Sequence, residues 1–452
     1  MTECSGMRLD FGRHGGREVT ASFDGGTMSS DGGAPLLAQV DRRLRVIDRL
    51  AECFQDERNP LLVTHKVREL LAQRVFAIAL GYEDLNDHEQ LRHDPLLGVL
   101  VGKHEPYCQP LAGKSTLNRL ELSDGKRTRY KKIHYKAEAI DALLVDVFIE
   151  AHAQPPAEIV IDLDTTDLAL HGHQEGRFFH GYYDEYCYLP LYIFCGEHLL
   201  GVRLRTADQD AAAGSREEVE RILARIRRAW PAVHIVLRAD SGFCRDDLLS
   251  WCEANAIDYV TGLARNERLR RCIELQMLEA KTLQAASGKP ARVFTEFSYE
   301  TSTGTWSRAR RVVAKAEQLE DKENARYVVS SLPPERWSAR ELYEQLYCAR
   351  GDMENRIKEQ KMLFAERVSA ATMRANQLRL YLSAVAYVLM QGLRRLALQG
   401  TQFATAQVQT IRLKLLKIGA SVRLSVRRVW ISMSSSYPYQ SLFETLWMRL
   451  RC

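Results

Sequence analysis

Three acids and one helical series are the residues of this 452-residue chain whose types and spacing could do chemistry. Asp164 ends the run EIVIDLD (158–164) and Asp240 ends HIVLRAD (234–240). Glu354 lies in the series Tyr347, Arg350, Glu354, Lys361. At about 100° per residue, Arg350 falls about 60°, Glu354 about 20° and Lys361 about 40° from Tyr347. One narrow helical face then carries an aromatic hydroxyl, two cations and one carboxylate. The apolar stripe Leu342, Leu346, Met353, Ile357 runs at another angle, so this polar face is not core. Acids at strand ends of an α/β sheet fall at the carboxyl edge, where ligands bind. Two of them with a third from a helix are hard oxygen donors, able to hold two Mg²⁺ or Mn²⁺ ions about 4 Å apart for phosphoryl transfer. The competing reading is that Asp164 and Asp240 merely cap turns.

Several elements must position these residues. Residues 1–35 are rich in Gly, Ser and Asp and read as loop with one short strand. From 36 to 153 apolar residues recur at three and four, as in VRELLAQRVFAIALGY, which predicts a helical domain without strands. Strands follow at 158–164, 186–196 and 198–206, the last two joined as a hairpin at Gly196-Glu197. Ser215 with Glu218 predicts a capping box opening a helix to about residue 229. HIVLRAD is a strand, DDLLSWCEAN a helix, IDYVTGLA a strand, and 265–285 a helix. Alternation returns at about 290–331 as an antiparallel β insertion, and Ser338 with Glu341 caps the helix bearing the series. A largely apolar helix covers about 374–398. The fold class is therefore α/β: a mixed sheet with a β insertion, a helical N-terminal domain before it, and helices and a basic C-terminal region (401–452) after it.

The order strand-Asp164 with Thr165-Thr166, strand-Asp240, β insertion, then Y-x2-R-x3-E-x6-K resembles the DDE transposases of bacterial insertion sequences. The likeness spans residues 155–400, and SSDGGAPLL, GYEDLND and LAGKSTLNRLE look typical of one subgroup. It implies an RNase H-like core in which Asp164, Asp240 and Glu354 hold Mg²⁺ or Mn²⁺, two ions per active site. Arg350 would reach a phosphate near the cut, and Tyr347 and Lys361 would hold the transposon-end backbone. The implied reaction is water attack to free a 3′-OH, then attack of that 3′-OH on target DNA. The implied partners are transposon-end DNA and target DNA, with a homodimer in the synaptic complex. Two other readings are a transposase-derived DNA-binding protein without catalysis, and a nuclease of the same core that cuts without joining.

Neighbouring residues leave choices. Asp162 shares strand parity with Asp164, and Asp164 is preferred for its place at the strand end. Asp246 and Asp247 fall in a helix's first turn, where acids favour the dipole. HGHQEGRFFHGYYDEY (171–186) reads either as an aromatic loop near DNA, with Arg177 or His173 on phosphate, or as a solvated loop. LAGKSTLNRLE presents Asn118 and Arg119, either on a DNA-reading helix or on an ordinary capped one. Trp306 and Trp337 are assigned packing roles. Gly113-Lys114-Ser115 lacks the earlier glycine of a P-loop, so no nucleotide cofactor is expected.

Composition sets the remaining bounds. Net charge is only +5, yet residues 401–452 carry eight Lys/Arg against one acid, with Arg427 and Arg428 adjacent. That polarity fits a local phosphate-binding surface or a solvated basic face. Ten cysteines without a CxxC pair point to reduced thiols in a cytoplasmic protein, nucleoid-associated when bound to DNA. No apolar run is long enough to span a membrane, and no apolar segment of a secretory signal opens the chain.

Overall fold

A computed structural model describes residues 7–103, 110–122, 128, 130–301 and 304–451. The chain divides into two compact units, one of residues 1–121, 127–134 and 385–452, the other of residues 122–126 and 135–384.

The second unit carries the acids. Its main sheet contains β1 (Glu158–Thr165), β2 (Leu191–Cys195), β3 (His198–Arg203), β4 (His234–Ala239), β5 (Asp258–Leu263), β6 (Ala291–Tyr299), β7 (Arg310–Gln318) and β8 (Arg326–Ser330). The order is β3-β2-β1-β4-β5-β8-β7-β6. β1, β4 and β5 run parallel, β2 is antiparallel to β1, and β3 is antiparallel to β2. The insertion strands extend this same sheet, because β8 pairs antiparallel with β5. Helices in this unit include α1 (Ala137–Glu150), α2 (Ser215–Ala229), α3 (Asp246–Ala254), α4 (Glu274–Ser287) and α5 (Gly351–Met362). Alternation along the strands sorts the side chains onto two faces. Ile159, Ile161, Leu163, Ile235 and Leu237 bury against Phe148 of α1, Val219 and Ile222 of α2, and Leu249 of α3. Val236, Val260, Val313 and Val328 point to the other face, against Leu342, Tyr343 and Leu346. Asp162, Asp164 and Arg238 share the parity of that second face.

Two local expectations are corrected. Ser215 opens α2, but its hydroxyl donates to the Ala212 carbonyl, the cap is Gly214 at φ 71°, and Glu218 pairs with Arg203 and Arg221. The helix bearing the chemical series is not regular. Ser338 and Glu341 do form the capping box, but Leu342–Tyr347 is a wide π turn and Cys348–Arg350 a tight 3-10 turn before α5 begins. A uniform 100° wheel therefore misplaces Tyr347 relative to Glu354.

In the first unit, residues 9–21 form an exposed hairpin, Leu9–His14 with Arg17–Ala21, where one short strand was expected. Short strands Phe54–Asp56 and Ile133–Tyr135 lie within the 36–153 stretch whose pattern reads as helical. SSDGGAPLL packs tightly along residues 415–420. Gly32 and Gly33 N–H groups donate to Ile418 and Leu416 carbonyls at 2.7 and 3.0 Å. A Cβ on Gly33 would lie 1.9 Å from the Leu415 carbonyl oxygen, so only glycine fits. Asp31 accepts from Tyr82 Oη and pairs with Lys417, both at 2.7 Å.

The basic C-terminal region is only partly a surface, which narrows the phosphate-binding reading. Arg412 is buried and donates to the Ile78 and Ala79 carbonyls, Lys417 is held by Asp31, and Arg449 donates to the Ala397 and Gln399 carbonyls. Arg427 and Arg428 stand exposed at the turn between strands Ala420–Leu424 and Val429–Met433. No helix among the described residues is long and apolar enough to cross a membrane.

His88 is fully buried in this unit, bonded to Gln73 at 2.9 Å and facing Arg74 at 3.1 Å. Burial, then the Arg74 charge, push its pKa down to about 3 from 6.5. Between those values the unfolded chain binds the extra proton, so stability is present above pH 6.5 and is lost as pH falls towards 3. The slope reaches roughly 1.4 kcal/mol per pH unit. Melting curves should show a steeper acid loss for the wild type than for His88→Gln; identical slopes would contradict this assignment.

Candidate active site

β1 and β4 lie side by side and parallel, with Asp162 opposite Arg238 and Leu163 opposite Ala239. The next residue of each strand path is an acid, so Asp164 and Asp240 meet at the carboxyl edge. A β-branched run ending in Asp produces this, because parallel neighbours in register bring equivalent ends together. Asp240 adopts extended backbone and its carboxylate accepts from Gly242 N–H at 2.8 Å, turning the chain into Ser241–Phe243. Its turn-capping role and its place at the edge thus coexist.

α5 supplies the third acid. Arg350, on the turn preceding it, reaches Asp164 Oδ2 at 3.0 Å with one arm and Glu354 Oε1 at 3.1 Å with the other. Asp164 is nearly buried, while the Glu354 side chain is 51% exposed. Burial raises the Asp164 pKa to about 6; Arg350 opposes this, and the Asp240 and Glu354 charges add to it. Both other acids therefore act electrostatically on Asp164. Among the described residues no three His, Cys, Asp or Glu side chains form a ready-made metal cluster.

Tyr347 is half-buried, its pKa raised by burial with Arg350 pulling the other way. Its hydroxyl rests against Gly262 of β5, where an added Cβ would stand 2.7 Å from Tyr347 Oη and 2.8 Å from Ser241 N. Gly262 was missed from sequence, although a glycine inside the strand IDYVTGLA is the usual mark of close backbone approach. Lys361 Nζ donates to the Asp167 carbonyl at 3.4 Å and lines a cleft of about 390 Å³ with Asp167, His171, Gln174, Glu366 and Arg367. The series is thus gathered around the edge of β1, β4 and β5 without sharing one regular helical face.

The structure separates Asp162 from Asp164. Arg238 grips Asp162 with two parallel bonds of 2.6 and 2.8 Å and donates to the Leu346 carbonyl at 2.6 Å. Both oxygens of buried Asp162 are thereby engaged in an ion pair inside the sheet face. Asp246 is likewise occupied, accepting from Ser307 N–H and Arg310. Trp306 is buried beneath Arg310 and edge-on to Tyr299, and Trp337 is partly buried against the second core. Asn118 and Arg119 are exposed on helix Lys114–Glu121, in the other unit, as are Arg427 and Arg428.

No curated protein matches the sequence at a significant level. A cryo-EM structure described as a piggyBac transposase synaptic complex with hairpin DNA is similar at a TM-score of 0.40 and 11% identity, covering 93% of this chain and 82% of that chain. That likeness is too distant to transfer an architecture. The family described as transposase DDE domain group 1 matches residues 11–452. A match over nearly the whole chain settles the family: this protein belongs to the DDE-domain transposases.

Proposed function

We propose that this transposase cuts the terminal inverted repeats of its own mobile element and joins the freed 3′-OH to target DNA, with Asp164, Asp240 and Glu354 as its catalytic acids. The observations that support the reading are the adjacent ends of β1 and β4, which lead into Asp164 and Asp240, and Arg350, bonded to both Asp164 and Glu354. The strand order β3-β2-β1-β4-β5, with β1 to β3 antiparallel and β4 and β5 parallel to β1, supports an RNase H-like core.

The donor set fits Mg²⁺ or Mn²⁺. All three groups are carboxylates, the hard oxygen ligands these ions take. The Arg350 guanidinium already stands as a cation between Asp164 and Glu354. Asp164, Asp240 and Glu354 would hold two ions, which when bound supply Lewis acidity at the phosphate and lower the pKa of an attacking water. Arg350's planar fork matches the paired oxygens of a phosphodiester as well as those of a carboxylate, so it orients the scissile phosphate. Tyr347 and Lys361 flank it as backbone contacts. Asn118, Arg119, Arg427 and Arg428 are assigned to DNA outside the cut, and cutting two ends together calls for a homodimer.

Inverted repeats in the DNA flanking the gene supply the substrate. Incubating protein, end DNA, target plasmid and Mg²⁺ should give 3′-OH ends and joined products. Cut ends without joining would identify a nuclease, and binding alone a non-catalytic DNA-binding protein. Gly262→Ala should lower cleavage on the order of 10²-fold by displacing Tyr347 and the turn after Asp240. It should cost about 1–3 kcal/mol of stability. Cleavage equal to wild type, measured alongside thermal melting, would show that this contact does not position the site.

A further inference from the structure

The helix α4 (Glu274–Ser287) is anchored along one side only. Met277 joins the core against which Val293 and Phe297 of β6 pack, and Ala280 is fully buried. The outer side holds two leucines in water one turn apart, Leu275 76% and Leu278 63% exposed. At about 100° per residue, Leu275 and Thr282 flank Leu278 on one side by about 60° and 40°. Glu274 and Lys281 flank it on the other by about 40° and 60°. A regular, anchored helix that displays an apolar stripe to water forgoes the gain of burying it, which marks a contact surface.

The charges around the stripe indicate its partner. A cleft of about 390 Å³ lies along the flank of Glu274 and Lys281, and its charged lining is Arg270, Arg271 and Lys281 against Glu267, Glu274 and Glu323. Three cations against three acids leave no net charge, so the surface suits neither a polyanion nor a strongly basic partner. Arg270 pairs with Glu323 at 3.4 Å and Arg271 with Glu267 at 4.0 Å, whereas Glu274 and Lys281 make no ion pair among the described residues. Seven residues apart, those two stand about 10 Å from each other along the axis, too far to pair within one helix. A second copy of α4 laid antiparallel across Leu275 and Leu278 satisfies both. Like flanks meet in an antiparallel pair, so Glu274 of each copy faces Lys281 of the other. A parallel pair joins opposite flanks instead, and Glu279, about 100° from Leu278 on the far side, would then oppose Glu274 as a like charge. The pattern thus specifies a two-fold, self-complementary contact.

We propose that α4 is a homodimerisation helix, packing antiparallel on α4 of a second copy of this chain, with Leu275 and Leu278 between the copies and two Glu274–Lys281 ion pairs at the rim. It supplies a surface for the homodimer that the transposase reading calls for, yet its test needs no DNA. The test is sedimentation equilibrium of the full chain. Wild type is compared with Glu274→Lys, with Lys281→Glu, with both reversals together, and with Leu275→Ser plus Leu278→Ser. All four positions are exposed, so the fold should hold, which circular dichroism checks. The wild type should dimerise, and each single reversal should weaken the dimer about ten-fold. The double reversal should restore it, and the two serines should leave a monomer. A monomeric wild type, or a dimer that the serine pair leaves unchanged, would overturn the proposal. Single reversals that the double reversal does not rescue would overturn the antiparallel pairing. A variant that keeps its mass but loses DNA affinity would overturn the proposal in favour of a nucleic-acid surface. Cleavage of end DNA by the wild type answers the transposase reading separately, whatever the sedimentation result.

Discussion

Asp164→Asn is expected to lower strand cleavage on the order of 10³-fold, the scale on which removing one well-placed electrostatic group acts. The substitution keeps the side-chain volume and the oxygen that accepts from Thr165 N–H at 2.9 Å. It removes one of the two carboxylates on which Arg350 rests. Sheet pairing through β2 and β4 uses backbone groups and is untouched, so melting temperature and DNA binding should hold. Cleavage and filter-binding assays on one preparation separate the two effects. Retained cleavage would remove Asp164 from the catalytic set.

Asp162→Ala should fail in the opposite way. Asp162 and Arg238 are both buried, and among the described residues Arg238 forms an ion pair with no other carboxylate. Deleting the acid leaves a buried guanidinium whose remaining hydrogen-bond partner among the described residues is the Leu346 carbonyl. Breaking one side of a buried pair costs about 3–5 kcal/mol. For a unit of this size that lowers the melting temperature by roughly 10 °C. Calorimetry should show that loss, with end-binding and cleavage per folded molecule preserved at low temperature. A variant that melts like the wild type but cannot cut would exchange the roles of Asp162 and Asp164.

The contrast shows what the chain reveals before folding. The strand ends at Asp164 and Asp240 were legible because β-branched runs specify strands and their lengths locally. The Ser338–Glu341 cap was legible for the same reason, its partners being three residues apart. Ser215 and Glu218 carry the same spacing, yet Arg203 and Arg221 claim the carboxylate and Gly214 takes the cap; competing partners from elsewhere decide such cases. Strand parity put Asp162 and Asp164 on one face but could not show that Arg238 neutralises only the first. The π turn at Leu342–Tyr347 was invisible to a wheel that assumes one period. Composition divides the chain into consecutive blocks, whereas Gly33 pairs with Leu416 and Met28 with Ser421 within one unit. A count of charges likewise could not show that Arg412 is buried against Ile78 and Ala79.

Glu354 bears most directly on the central assignment, since it is the half-exposed acid that Arg350 links to Asp164. The decisive measurement is cleavage of end DNA in Mg²⁺ by wild type and by Glu354→Gln at matched DNA occupancy. The predicted result is 3′-OH ends from the wild type and bound, uncut DNA from the variant. Undiminished cleavage by Glu354→Gln would contradict the three-carboxylate site.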